Sequence, residues 1–201
     1  MLSRPAGNGR VLDFDIENRP LSYWMADRPT ADITAIASCW TDDLGSMEVL
    51  LLGEVDSAEI LRRFVARYDQ ADLVTGHYVR KHDLPIINGQ LMEWGLPQLN
   101  AKMVCDTKLD MYEKADIPAT QEYLSEILGV TLGKVHMTQA AWRKANRLTP
   151  DGLVETKKRV AGDVLQHMLL RSEMLKRGML RPPRIWNPAG GESPDGRRHR
   201  R

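Results

Sequence analysis

Arg10-Val11-Leu12-Asp13-Phe14-Asp15-Ile16-Glu17-Asn18 is the stretch on which the reading of this chain turns. Val11, Leu12, Phe14 and Ile16 are apolar or β-branched, so residues 10–16 read as a strand. Successive strand side chains alternate faces, which puts Asp13, Asp15 and Glu17 on one side. Three carboxylates on one face of an apolar strand repel one another. Such a cluster is stable only where water reaches it or where cations lie between the charges. Ligands that are all oxygen favour Mg²⁺ or Mn²⁺ over zinc. An edge strand with one wet face is the competing account of the same residues.

Working outward, Asn18-Arg19-Pro20 ends this strand. Residues 33–40 and 47–52 read as two more strands around the turn at Asp42-Asp43-Leu44-Gly45, which makes an antiparallel meander. Residues 57–68 have helical spacing, with Asp56 or Ser57 as N-cap. A short strand over 72–75 stops at Gly76, a helix over 83–94 stops at Gly95, and a strand is expected at 104–106. Helices are expected over 119–128 and 138–145. The last helix opens with Thr149 as N-cap and Pro150 at the first helical position, runs to about Lys176 and ends at Gly178. Val154, Ala161, Leu165, Met168 and Leu175 form its apolar stripe, flanked by Val160, Val164 and Leu169. Arg159, Asp163 and His167 recur every fourth residue on the other, polar side. Strands followed by interleaved helices imply an α/β layer with a mixed sheet and flanking helices. Residues 1–9 read as a disordered N-terminus, residues 10–180 as the folded domain, and residues 181–201 as a disordered basic C-terminal tail.

Two further segments carry acids at structural boundaries. In Leu73-Val74-Thr75-Gly76-His77-Tyr78-Val79-Arg80-Lys81-His82-Asp83-Leu84-Pro85, a strand stops at glycine and an Asp opens a helix. Asp83 alone is explained equally by a helix N-cap. In Arg159-Val160-Ala161-Gly162-Asp163-Val164, Asp163 alone is explained by a solvated helix face.

The ordered set is more specific than any member. Phe14-Asp15-Ile16-Glu17-Asn18 resembles the first motif, D-x-E on strand one, of the DEDD-type (DnaQ-like) 3′→5′ exonucleases. Gly76-His77 through Lys81-His82-Asp83-Leu84-Pro85 resembles the second motif, and Gly162-Asp163-Val164 the third. Cys105-Asp106-Thr107-Lys108 and the stretch from Tyr123 to Val130 look like the family's D-T segment and its small helix. The resemblance covers about residues 10–175. It implies a ribonuclease-H-like fold and two Mg²⁺ or Mn²⁺ ions held by Asp15, Glu17, Asp83 and Asp163, which are thereby the expected catalytic residues. Asp13 becomes a neighbour of the site. The chemistry implied is phosphodiester hydrolysis, with one metal lowering the pKa of a bound water and the other steadying the leaving 3′ oxygen.

The sequence departs from the family pattern at informative places. A Tyr four residues, or a His five residues, before the third-motif Asp usually positions the attacking water; here those positions are Arg159 and Lys158. Arg stays charged near neutral pH, and Lys acts as a base only with a strongly lowered pKa. The open alternatives are a base from His136 or His167, no side-chain base at all with Arg159 or Lys158 contacting phosphate, or a weak or inactive enzyme. Tyr78 replaces the usual Asn and His82 the usual Phe or Tyr. Either ring is able to stack on a terminal base, or to pack around the site. His77 is a substrate-side candidate or a hydrogen-bonded structural residue. Trp142, Arg143, Lys144 and Arg147 form a basic segment with one aromatic that suits a nucleic-acid backbone or plain solvent.

Composition sets the remaining bounds. The 201 residues suit one domain, 42% hydrophobic and 27% charged. A net charge of +1 excludes a basic coat protein, so nucleic acid would meet local patches. Cys39 and Cys105 lie in no metal-ligand spacing and are expected as buried reduced thiols. There is no apolar run near the ~18 residues a membrane span needs and no apolar signal-peptide core in the first residues, so a cytoplasmic protein without membrane contact is expected. The expected substrate is a DNA 3′ end, single-stranded or frayed, in proofreading or repair, with a DNA polymerase or replication protein as partner. An exoribonuclease acting on RNA and a noncatalytic nucleic-acid-binding domain are the alternatives.

Overall fold

The structure, a computed structural model, describes residues 9–21, 30–111, 117–130, 132 and 135–189. The expected disorder at 1–8 and 190–201 lies outside those residues.

Strands β1 (Val11–Leu21), β2 (Thr30–Trp40) and β3 (Asp43–Leu51) form the antiparallel meander. β4 (Leu73–Gly76) runs parallel to β1, and β5 (Lys102–Asp106) parallel to β4. β6 (Arg184–Trp186) pairs antiparallel with β5, giving the order β3-β2-β1-β4-β5-β6. The sheet is therefore mixed, and helices cover both faces. α1 (Ser57–Gln70) and α2 (Asp83–Glu93) lie on one face. α5 (Pro150–Lys176) lies on the other, with α3 (Gln121–Ile127) and α4 (Gln139–Asn146) beside it. Among the described residues, no helix is long and apolar enough to cross a membrane.

The alternation of β1 divides the molecule. Leu12, Phe14 and Ile16 enter the main core with Ile60, Leu61, Phe64 and Tyr68 of α1 and Leu84, Ile87 and Leu91 of α2. Each such fully buried side chain contributes about 1.5–3 kcal/mol. Asp13, Asp15 and Glu17 face α5 instead. β2 presents Ala35, Ala37 and Cys39 on that side, small enough for Val160, Val164 and Met168 of α5 to close onto the sheet. A register shift between Glu17 and Asn18 marks a bulge in β2, where the Thr34 hydroxyl donates to the Glu17 carbonyl at 3.1 Å.

Three expectations need correction. β1 does not stop at Asn18-Arg19-Pro20. Among the described residues, β4 pairs it only over Val11–Asp13, so no strand flanks its second half on that side and proline's missing N–H costs no ladder bond there. The segment from residue 181 is not all tail, because β6 extends the sheet and Trp186 packs against the main core. Finally, α5 does not turn its polar side to water. Asp163, His167 and Arg171 are buried, while Val154, Leu169 and Leu175 are 51%, 42% and 42% exposed. The acids of β1 need compensating partners, and Arg159 supplies one to Glu17 and His167 and Arg171 supply them to Asp13, at the expense of apolar periodicity.

Candidate metal centre

The site lies where β4 parts from β1. Gly76 ends β4 so close to β1 that a Cβ there would lie 2.9 Å from the Phe14 carbonyl oxygen and would collide with Val79. That close approach is what glycine permits. The chain then turns through Tyr78, whose φ of 72° is left-handed, and reaches Asp83 at the start of α2. Such a φ is uncommon outside Gly, Asn and Asp, and Asp106 holds the turn. Its Oδ1 accepts from the Tyr78, Lys108 and Leu109 backbone N–H groups, and its Oδ2 from that of Arg80, all at 3.0 Å. Asp110 accepts in turn from the Asp106 N–H at 2.9 Å and from Arg80 at 2.5 Å.

Asp15, Glu17 and Asp163 come together, each offering a carboxylate oxygen within 4.8 Å of the others. Asp15 and Glu17 are half-buried and Asp163 is 4% exposed. A set of three oxygens suits a hard divalent cation. Asp83, the fourth expected ligand, stands apart from that triplet. It is not the N-cap of α2; His82 is, without a side-chain cap bond. Burial pushes the Asp83 carboxyl up to about 7, hydrogen bonds from its own backbone and that of Ile16 oppose the rise, and the neighbouring charges of Asp106 and Glu17 add to it.

Arg159 is the unexpected occupant. Its Nε donates to Glu17, its Nη2 lies 3.5 Å from Asp163 Oδ2, and its Nη1 donates to the Val135 carbonyl at 2.8 Å. The guanidinium sits 5.1 Å from the centre of the Trp142 ring. Although burial opposes its charge, Glu17, Asp163 and Asp15 together hold Arg159 firmly protonated. Trp142 is in place because Gly152 at the start of α5 lets the α4 backbone at Lys144 press against it, where a Cβ would collide.

The other candidates lie as follows. Lys158 points outward and pairs with Glu155 at 3.3 Å. His136 is exposed and pairs with Glu122 at 3.2 Å. His167 is buried beside Asp13, with Nδ1 3.1 Å from Oδ1. Both nitrogens of His77 are engaged, Nδ1 with Thr107 and Nε2 with the Ala119 carbonyl, each at 3.0 Å. Burial first, and His167 next, push His77 down to about 4, so it stands neutral. His82 is exposed. Tyr78 is half-buried, with the Lys108 ammonium 4.1 Å from its ring centre.

Sequence reasoning did not find the buried group around Asp13. Arg171 reaches Asp13 at 3.3–3.4 Å and the Thr41 hydroxyl at 2.9 Å, and Thr41 donates to Asp13. Burial raises the Asp13 pKa, but Arg171, His167 and Thr41 outweigh it and hold the carboxyl below its usual range. The signal was present: Arg171 continues the series 159, 163, 167 by one more step of four.

No family model matches the chain and no curated protein matches it. Among solved structures, the chain is similar to the family B DNA polymerase from the hyperthermophilic archaeon Pyrobaculum calidifontis, with a TM-score of 0.61 and 18% identity. The match covers 84% of this chain and 25% of the polymerase, so the chain spans about a quarter of that protein's length. The likeness is one of fold, and with the mixed six-stranded sheet and its flanking helices it makes this a ribonuclease-H-like α/β domain.

Proposed function

We propose that this protein is a 3′→5′ exonuclease that hydrolyses phosphodiester bonds at a DNA 3′ end with two Mg²⁺ or Mn²⁺ ions. The observation that carries the reading is the convergence of Asp15, Glu17 and Asp163 from β1 and α5 into one oxygen-lined cluster. A cation already sits against that cluster in the form of the Arg159 guanidinium, which is evidence that the acids favour positive charge there. Asp83, at the start of α2 beyond the turn that follows β4, completes the ligand set in this reading. Bound there, the ions would lower the pKa of a water and steady the departing 3′ oxygen.

The chain's own residues supply the rest. Tyr78 and His82 lie on the turn between β4 and Asp83 and would stack on the terminal base. Arg143, Lys144 and Arg147 on and just after α4 would follow the phosphate backbone. With Lys158 and His136 pointing outward and His167 committed to Asp13, no side-chain base is assigned, and the bound water would lose its proton to solvent. A DNA polymerase or replication protein is the partner this reading favours, in keeping with the polymerase that shares the fold.

The alternative of a noncatalytic nucleic-acid-binding domain draws on one observation, Arg159 standing against the acids. The test uses single-stranded DNA labelled at its 5′ end, with Mn²⁺. Wild type should yield a ladder shortening from the 3′ end, stopped by EDTA. Asp15→Ala and Asp163→Ala should slow it on the order of a thousandfold, about 4 kcal/mol of transition-state stabilisation. A parallel RNA oligonucleotide reports the sugar preference. Both oligonucleotides left intact would sink the enzymatic reading in favour of binding alone.

A further inference from the structure

Arg159 and Asp163 are one helical turn apart on α5, so their side chains meet on one face. The guanidinium contacts Glu17 and Asp163, two members of the three-carboxylate cluster. Its side chain is 15% exposed and bridges those two acids. Its other anchors are neutral: the Val135 carbonyl and the face of Trp142. A guanidinium and a divalent cation that draw on the same two carboxylates repel each other at short range. They compete for one place.

We propose that Arg159 fills the place of one of the two divalent ions in the resting protein, and that a phosphate group of the substrate draws it away to admit the second ion. The inference rests on the metal-dependent reading of the same site. In the resting protein Asp15, the acid of the cluster beside the two that the guanidinium contacts, would hold a single ion. A phosphate offers the guanidinium fork paired oxygens in the geometry it gives up on leaving Glu17 and Asp163. Trp142 and the Val135 carbonyl keep the guanidinium beside the site during the exchange, because neither contact depends on the acids. Full metal loading is thereby coupled to the arrival of a phosphodiester, and an Arg in place of the usual Tyr or His acquires a role of its own. A lysine would not substitute, since its point charge has neither the fork nor the flat face that stacks on Trp142.

The experiment counts bound Mn²⁺ on the full chain from the loss of the free-ion electron paramagnetic resonance signal. Wild type, Arg159→Gln and Arg159→Ala are compared with and without thymidine 5′-monophosphate. Wild type should bind one ion tightly, with a second gained on adding the nucleotide. Both variants should bind the second ion at least tenfold more tightly than wild type when no nucleotide is present. Equal stoichiometry and affinity in wild type and Arg159→Gln would overturn the proposal and leave the metal reading standing. No Mn²⁺ uptake by any of the proteins would overturn the metal reading itself, and this inference with it. If Arg159→Ala fails to fold, Arg159→Gln, which keeps most of the side-chain volume, carries the comparison.

Discussion

Arg171 and Arg159 lie on the same helix, roughly three turns apart, and both meet acids of the same strand. Arg171 meets Asp13 where β4 still pairs with β1, and the acid is wholly shut from water. Its carboxylate is satisfied by Arg171, His167 and Thr41. An ionised carboxylate only accepts hydrogen bonds, so Nδ1 of His167 must carry the proton it shares. Arg159 meets Glu17 beyond the end of that pairing, where no strand flanks that side among the described residues and the acids remain partly wet. The chemistry of the two pairs is alike; the covering is not. Where β4 closes the edge, a charge pair becomes a fixed part of the interior. Where β4 has parted, the same kind of pair stays partly wet, as the proposed exchange requires.

The contrast is broken most severely at Asp13. Asp13→Ala leaves Arg171 buried with a reduced set of partners and should cost about 3–5 kcal/mol, read by urea unfolding in EDTA. Asp15→Ala, two residues along the same face, removes a repelling charge from the open cluster and should change metal-free stability by no more than about 1 kcal/mol in either direction. Equal losses from the two substitutions would show that the open and closed halves of β1 are not energetically distinct.

A pH series sharpens the closed side. His77 titrates near 6.5 in an unfolded chain and about 4 in the folded protein, so between those values the unfolded state binds the extra proton. The stability this group contributes is complete above pH 6.5 and is lost as pH falls toward 4. Allowing for its partial exposure, wild type should lose on the order of 1–2 kcal/mol more than His77→Gln between pH 7 and pH 4.5. Matching pH profiles for the two proteins would mean that His77 is not the neutral brace its contacts with Thr107 and Ala119 describe.

Much of this division was legible in the sequence. The alternation of Leu12, Phe14 and Ile16 against Asp13, Asp15 and Glu17 gave both the strand and its two faces, and Thr149-Pro150 with Gly178 framed α5. The orientation of α5 was not legible. Its apolar positions form two overlapping stripes, and only the acids on β1 decide which one turns inward. β6 was missed because three residues beside Pro182 and Pro183 carry too short a pattern to separate from tail. Of the four acids that the resemblance groups into one ligand set, Asp15, Glu17 and Asp163 come together, while Asp83 lies outside that triplet. Asp83 is reached through a turn whose path depends on Asp106, thirty residues from the Gly76 that begins it. The contacts of Arg159 with the acids were not legible for a related reason: sequence shows only that an Arg replaces the usual Tyr or His, whereas packing shows what the replacement touches.

Tyr78 offers the smallest and most discriminating effect, because it stands between the closed half and the open one. Its backbone is fixed by Asp106 in a left-handed conformation that Asn adopts with little strain and Tyr does not. Asn is also the residue found here in the exonuclease family that the motif resembles. Relief of the strain in Tyr78→Asn, about 1 kcal/mol, is offset by the lost contact with Lys108, about 0.5–1 kcal/mol. The substitution should therefore leave stability within about 0.5 kcal/mol of wild type. If the ring is retained at this strained position to stack on a terminal base, Tyr78→Asn should weaken binding of a short single-stranded oligonucleotide by about 1–3 kcal/mol, read by fluorescence anisotropy with Ca²⁺ in place of Mn²⁺. A marked loss of stability with unchanged binding would assign the ring to packing and place Tyr78 with Asp106 and His77 on the closed side of the molecule.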